Sequence, residues 1–513
     1  MKKILILLFV YSYSINMFGQ SPSIQWEKSL GGGMYDWSKE IELTSDGGNI
    51  TIGYSASTDG DISFSHGDGD CWIIKSNAVG LVQWSKTFGG TGFDYGYSMK
   101  QTSDGGYIAA GYSESNDGDV TGNHGGGDCW ILKLNASGTI LWQKTYGGTL
   151  NDKAQCIRQT SDGGYIICGN TDSSDGDVSS NHGGGDCWVL KLDNAGLIEW
   201  EKTVGGSAND SGEDIKQTSD GGYILTGGTH SNDEDVTVQK GNGDCWIVKL
   251  DNAGNISWQK SFGGSNYDYA QSIEQTIDGG YVIAGYTESN DGDITGAHGG
   301  GDCWVIKCDD LGNLQWQKAL GSSGNDYGFC IQQIIGGGYI LTGYSELNDG
   351  DVTGNHGNYD CWVVKLNEFG AFEVQKSFGG TGVDIGYSIR QTADGSYIIA
   401  GSSESDDGDV SGNHGSGDCW IIKLNFQSLS IEENISSNSI NVSPNPSSGN
   451  FNFSGLTDET TIDIYDISGE IISEAKTVNN KYSVDLSSQA KGIYFYRISM
   501  KNGESRNGKI ILN

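Results

Sequence analysis

The chain reads as a succession of short strands. Between residues 94 and 144, YSMKQT and YIAAGYS flank a Ser-Asp-Gly-Gly turn, and DCWILKLN and ILWQKT flank Ala-Ser-Gly, so each pair has the form of a β-hairpin. Segments of the YIIAG and CWIIKL type are almost continuously apolar, as expected of strands covered on both faces. Aromatic and β-branched residues between Gly, Asp, Asn and Ser predict an all-β fold.

The pattern repeats. Asp-Cys-Trp begins at Asp70, Asp128, Asp186, Asp244, Asp302, Asp360 and Asp418, 58 residues apart each time. Trp26, Trp84, Trp142, Trp200, Trp258 and Trp316 form a second ladder, with Val374 in seventh place. Asp36, Asp94, Asp152, Asp210, Asp268, Asp326 and Asp384 form a third. Four strands per unit in seven units predict a seven-bladed β-propeller over residues 21–428; a β-solenoid is the competing architecture, with coils usually shorter than this repeat. The phase leaves the strand around Trp26 and the strand around Trp420 each without a partner in its own repeat, so they are expected to pair and close the last blade. Up-and-down order then places the loop Ser115–Gly127 and the loop ending at Asp94, with their counterparts, on one face.

Composition narrows the partners. Glycine supplies 82 of 513 residues and proline 3, which excludes collagen and a proline-rich linker. Thirty basic residues against 66 acidic ones make nucleic acid and anionic membrane surfaces electrostatically unfavourable partners. With the first twenty residues and the tail from Ile431 set aside, the remaining charge is −35, or −5 per repeat. Residues 1–20 carry Lys2, Lys3 and an apolar run from Ile4 to Val10, the layout of a signal peptide; no integral membrane segment is expected after its removal.

From Ser439 the period stops, and Pro444 and Pro446 appear together. Residues 429–438 read as a linker and 439–513 as a small β-sandwich. SPNPSSGNF, TIDIYDISGEII, VDLSSQAKGIYFYRI and the closing GKIILN resemble the type A C-terminal sorting domain of proteins exported by the type IX secretion system of Bacteroidetes. The ending in Leu512 and Asn513, rather than a basic residue, departs from that family. The resemblance implies handling by the type IX machinery and a secreted or outer-surface location. The repeats also resemble propeller-like tandem repeats of such proteins, a likeness that brings no ligand.

Candidate chemistry lies in the acidic loops. Asp59 and Asp61, Asp117 and Asp119, Asp175 and Asp177, Asp291 and Asp293, Asp349 and Asp351, and Asp407 and Asp409 each flank a glycine; Asp233 and Asp235 flank Glu234. Paired carboxylates on a turn can supply part of a calcium shell, and these loops resemble those of integrin-type propellers, although Asn-Asp-Gly-Asp differs from Asp-x-Asp-x-Asp-Gly. The plainer expectation is a turn plus solubilising charge. His66, His124, His182, His298, His356 and His414 recur beside them, with Lys240 in the fourth copy, and are expected to cap their own loops rather than converge on zinc. Asp94, Asp152 and Asp268, with His124, His182, His298, His356 and His414, define the expected ligand face. Both Trp ladders are assigned to the core, because Val374 can pack but cannot stack a sugar. The seven Asp-Cys-Trp cysteines are expected as buried thiols, whereas the pairing of Cys156 with Cys168 depends on turn length. Seven near-identical loops disfavour catalysis, so a binding protein for a glycan or surface component is expected; the alternative is a polysaccharide hydrolase or lyase working where symmetry breaks, at Glu234 and Lys240 or at Ile335-Gly336-Gly337.

Overall fold

The hairpin signals are realised as seven four-stranded antiparallel sheets at the 58-residue spacing. The structure, a computed structural model, describes residues 22–426, 441–456, 460–466, 471–477, 481–500 and 505–512. The expected signal peptide and linker lie outside the described residues. In the second repeat the strands are Asp94–Gln101, Tyr107–Ser113, Asp128–Leu134 and Ile140–Tyr146, paired in that order. No helix occurs among the described residues, so none is long and apolar enough to cross a membrane.

Local chemistry fixes each hairpin. In the first turn, Asp104 Oδ1 accepts from the Gly106 N–H at 2.9 Å and from the Thr102 hydroxyl at 2.5 Å, while Gly105 takes a φ of +80°. Lys133 of the third strand donates to the same Asp104 oxygen at 3.0 Å, tying turn to sheet. Each second strand carries a glycine opposite the inner strand; a Cβ at Gly111 would lie 1.7 Å from the Tyr95 carbonyl oxygen, so no larger residue fits this pairing.

The core lies between successive sheets. Ile52, Cys71 and Ile73 of the first repeat pack with Tyr107 and Trp130 of the second, and the Asp-Cys-Trp tryptophans are almost fully buried. The second Trp ladder is half-buried instead: Trp84 lies against the outer turn of the next sheet, where a Cβ at Gly138 would sit 2.9 Å from its ring. All eleven cysteines are buried and free, including Cys156 and Cys168, which face each other in register.

Pro22–Leu30 pairs with Asp418–Phe426, with Ser29 opposite Trp420, so the last sheet takes three strands from one end of the repeats and one from the other. The inner strand Asp36–Leu43 packs on Asp384–Gln391 and Tyr397–Ser403 of that sheet. The described residues fall into two compact units, 22–426 and 441–512. In the second unit, a three-stranded and a four-stranded sheet share a core of Phe451, Phe453, Ile462, Ile464 and Ile498.

Candidate functional site

The acidic loops knit neighbouring connections together. Asp94 is fully buried: its Oδ2 accepts from the Gly90 N–H at 2.7 Å and the Ser115 hydroxyl at 2.8 Å, and its Oδ1 from the Ser113 hydroxyl. Asp152 and Asp268 repeat the arrangement with Gly148 and Ser173 and with Gly264 and Ser289. The first carboxylate of each acidic pair accepts an N–H from the crossing connection: Asp59 from Gly33, Asp117 from Thr91, Asp175 from Thr149, Asp291 from Ser265, Asp349 from Ser323 and Asp407 from Thr381, at 2.7–2.8 Å. The second reaches the start of that connection: Asp61 accepts from Gly31 at 3.1 Å, Asp177 from Gly147 at 3.3 Å, Asp293 from Gly263 at 3.1 Å and Asp351 from Gly321 at 3.4 Å. The backbone N–H of Asp119 and of Asp409 donates to Gly89 and Gly379.

The histidines serve as caps within their own loops. Nδ1 of His124, His182, His356 and His414 lies 2.6–2.7 Å from the aspartate four residues on, and Nδ1 of His298 lies 3.4 Å from Asp302. Two also reach the next repeat: Nε2 of His66 is 3.5 Å from Asp119, and that of His298 is 3.5 Å from Asp351. Lys240 performs the equivalent link by an ion pair with Asp293. Among the described residues, no group of three or more His, Cys, Asp or Glu side chains is arranged to hold a metal ion.

The site that the sequence reading did not single out lies between the inner strands. All seven line one cavity of about 500 Å³. A bulge in each strand, between Ser38 and Glu40 in the first, lets adjacent residues such as Lys39 and Glu40 both reach it. Here the repeats differ. The position of Lys39 is Tyr97, Gln155, Glu213, Gln271, Phe329 and Tyr387 in the other copies.

Those differences divide the wall into two arcs. On one side Phe329, Tyr387 and Tyr97 line the cavity; Phe329 lies 4.8 Å from Tyr387, and Trp37, outside the lining, links Tyr387 at 6.2 Å to Tyr97 at 6.3 Å between centroids. Gln155, Glu213 and Gln271 line the remaining three inner strands. The Tyr269 hydroxyl donates to Glu213 at 2.5 Å, yet burial dominates and pushes the Glu213 carboxyl above its usual range. Lys39 Nζ stands 5.1 Å from the Phe329 centroid and 4.9 Å from that of Tyr387, its pKa lowered by burial.

Toward the turn face, Glu40 meets Arg390 at 2.9 Å, Arg158 at 3.2 Å and Lys100 at 3.5 Å, joining the first repeat to the seventh, third and second. Burial alone would raise the Glu40 pKa, but these three cations hold it well below the ordinary carboxylate range. Asp214 pairs with Lys216 at 2.7 Å and Arg158 at 3.2 Å, and Lys100 and Arg390 also bind Glu42.

Residues 441–513 match the family described as the secretion system C-terminal sorting domain. The tail is therefore a type IX secretion sorting domain, and the chain is a repeat protein that this system delivers to the cell surface or the extracellular space. Over 265 residues it is 23% identical to the regulatory protein FlaEY of Caulobacter vibrioides, covering 46% of this chain and 27% of that protein. The chain thus spans about a quarter of that curated relative's length. Among solved structures it is similar to PorZ, a surface component of the type IX secretion system of Porphyromonas gingivalis: 10% identity, TM-score 0.39, and coverage of 94% of this chain and 60% of that one. Sqt1 of Chaetomium thermophilum shares 11% identity at a TM-score of 0.41, over 78% of this chain and 98% of its own.

Proposed function

We propose that residues 1–20 direct export, that residues 21–428 form a seven-bladed β-propeller displayed outside the cell, and that this propeller binds a glycan or another surface component. Residues 429–438 then serve as the linker to the sorting domain at 439–513. Ring closure is supported by the pairing of Pro22–Leu30 with the last repeat and by a cavity that all seven inner strands touch.

One observation carries the binding role. The framework is repeated from copy to copy, whereas the residues facing the cavity differ and sort into one aromatic arc and one polar arc. A purely structural ring has no need of that division, while an aromatic surface opposite amides and a carboxyl is suited to the apolar face and hydroxyl edge of a sugar. A glycan array probed with the repeat protein and with its Phe329→Ala/Tyr387→Ala variant tests this reading. Binding to a glycan class, weakened about tenfold or more in the variant, is expected; an array without signal, or equal binding by both proteins, overturns it. Calcium titration followed by thermal melting tests the loop carboxylates separately: a raised melting temperature supports an ion at the rim, and an unchanged one leaves them as loop ties.

A further inference from the structure

The charged groups lining the cavity balance. Lys39, Lys100, Arg158, Lys216 and Arg390 stand against Glu40, Glu42, Glu213, Asp214 and Glu274, five of each sign, inside a chain whose formal charge is −36. Four of the five cations lie in the ion-paired layer around Glu40 and Asp214. Lys39 and Glu213 belong to the layer above, at the same repeat position in the first and fourth copies. Lys39 leans on two aromatic rings, and Glu213 takes its hydrogen bond from a tyrosine. A charged ligand would upset this balance, and a polyanion would also meet the negative field of the whole chain.

We infer that the cavity is an end-on site for the terminus of an uncharged glycan, with Phe329 and Tyr387 against one pyranose face and Gln155, Glu213 and Gln271 on the hydroxyl edge. The inference rests on the glycan-binding reading above and adds the place, the chain end and the charge class of the ligand. A pyranose ring has C–H groups on its faces and hydroxyls around its edge, so one residue can meet both arcs at once. Its hydroxyls can donate to the Glu213 carboxylate and accept from the Lys39 ammonium, satisfying both without adding net charge. The cavity, about 500 Å³, falls within the size range of small-molecule sites and suits a chain end rather than a polymer lying across the ring.

The test uses the full chain with maltopentaose, cellopentaose and mannopentaose as uncharged probes and tetragalacturonate as the anionic one, by calorimetry at low and high salt. The expected result is binding of an uncharged probe with an affinity insensitive to salt. It should fall about tenfold or more in Glu213→Gln and in Gln271→Ala, and stay unchanged in Leu141→Ser, whose side chain is exposed on the fourth strand of its sheet, at the opposite edge from the inner strand. Quenching of tryptophan fluorescence by the same probe, lost in Trp37→Phe, provides a second readout if a cavity variant fails to fold. Full binding by folded Glu213→Gln and Gln271→Ala, or preference for the uronate with strong salt dependence, overturns the end-on site while leaving a glycan-binding protein. Binding of none of these probes overturns the end-on site as well; the broader reading falls only by the glycan array described above, through a blank array or equal binding by parent and variant.

Discussion

At Glu234 the backbone holds φ at +52°, where Gly60, Gly118, Gly176, Gly292, Gly350 and Gly408 hold it between +59° and +66°. An L-residue with a Cβ is strained in this left-handed region by about 1–2 kcal/mol, whereas glycine is not. The Glu234→Gly variant is therefore expected to gain about 1 kcal/mol, after the greater freedom of glycine in the unfolded chain is counted. Urea unfolding followed by circular dichroism checks this, and an unchanged or lower midpoint would mean that the glutamate side chain makes a contact that offsets the strain. Loop chemistry of this kind was partly legible in the sequence. Histidine four residues before a buried aspartate was expected to cap its loop and does so, because both partners lie on one short segment. The buried Oδ1 of Asp70, Asp128, Asp186, Asp244, Asp302, Asp360 and Asp418, which lacks a hydrogen-bond partner in all seven copies, was not legible. Its surroundings come from the following repeat: a Cβ at Gly263 would lie 2.7 Å from oxygens of both Asp244 and Asp268.

The first hairpin turn ties its own sheet together through a buried lysine, and the sixth repeat reveals the consequence of losing that tie. Lys75, Lys133, Lys191, Lys249, Lys307 and Lys423 pair with Asp46, Asp104, Asp162, Asp220, Asp278 and Asp394 of their own turns. In the sixth copy Gly336 stands where the aspartate would be, and Gly336, Gly337 and Gly338 all have positive φ. Lys365 turns to Glu373 instead, and its side chain is 26% exposed against 3% for Lys307. Gly336→Asp should restore the sibling turn, draw Lys365 back and raise stability by about 1 kcal/mol, chiefly by restricting the unfolded chain. A lower melting temperature for Gly336→Asp than for the parent would instead mean that the three-glycine turn is locked in its present conformation. Hairpins, repeat phase and the pairing around Trp26 and Trp420 could be read from the sequence because each depends on residues that recur. The cavity could not, since its informative positions are those where Lys39, Gln155, Glu213 and Phe329 fail to recur. A reading organised by period passes over them, and the bulge that brings adjacent positions to one wall breaks the expected alternation.

At the scale of the whole repeat unit, the buried carboxyls and histidines set an unusual dependence on pH. Burial, opposed by hydrogen bonds, raises the pKa of Asp36, Asp94, Asp152, Asp268 and Asp384, and lifts Asp326 to about 6 from an ordinary 3.8. Third-strand aspartates such as Asp128, Asp244 and Asp302 move in the same direction for the same first cause. A carboxyl that binds its proton more tightly when folded makes the folded state lose stability as pH rises from the unfolded pKa to the folded one, here from about 4 to about 6. His414, raised first by its bond to Asp418, and His182, raised by Asp186 against burial, contribute stability at low pH that is lost as pH rises through their folded values. The opposite sign belongs to Asp46, held near 2 by the Thr44 hydroxyl and then, against burial, by Lys75, and to Glu40 among its three cations. Their contribution exists above about pH 4 and disappears as pH falls through their folded values. Together these groups place the stability maximum in mildly acidic solution, near pH 4–5, with a decline toward neutrality. Melting temperatures measured from about pH 3 to pH 8 should trace that dome, and Asp326→Asn, which keeps an oxygen for Ser322 but cannot ionise, should flatten the limb between about pH 4 and 6. A maximum at or above neutrality, or an acidic limb that Asp326→Asn leaves untouched, would mean that the buried aspartates are ionised in the folded protein and that their charge is compensated across the repeat junctions.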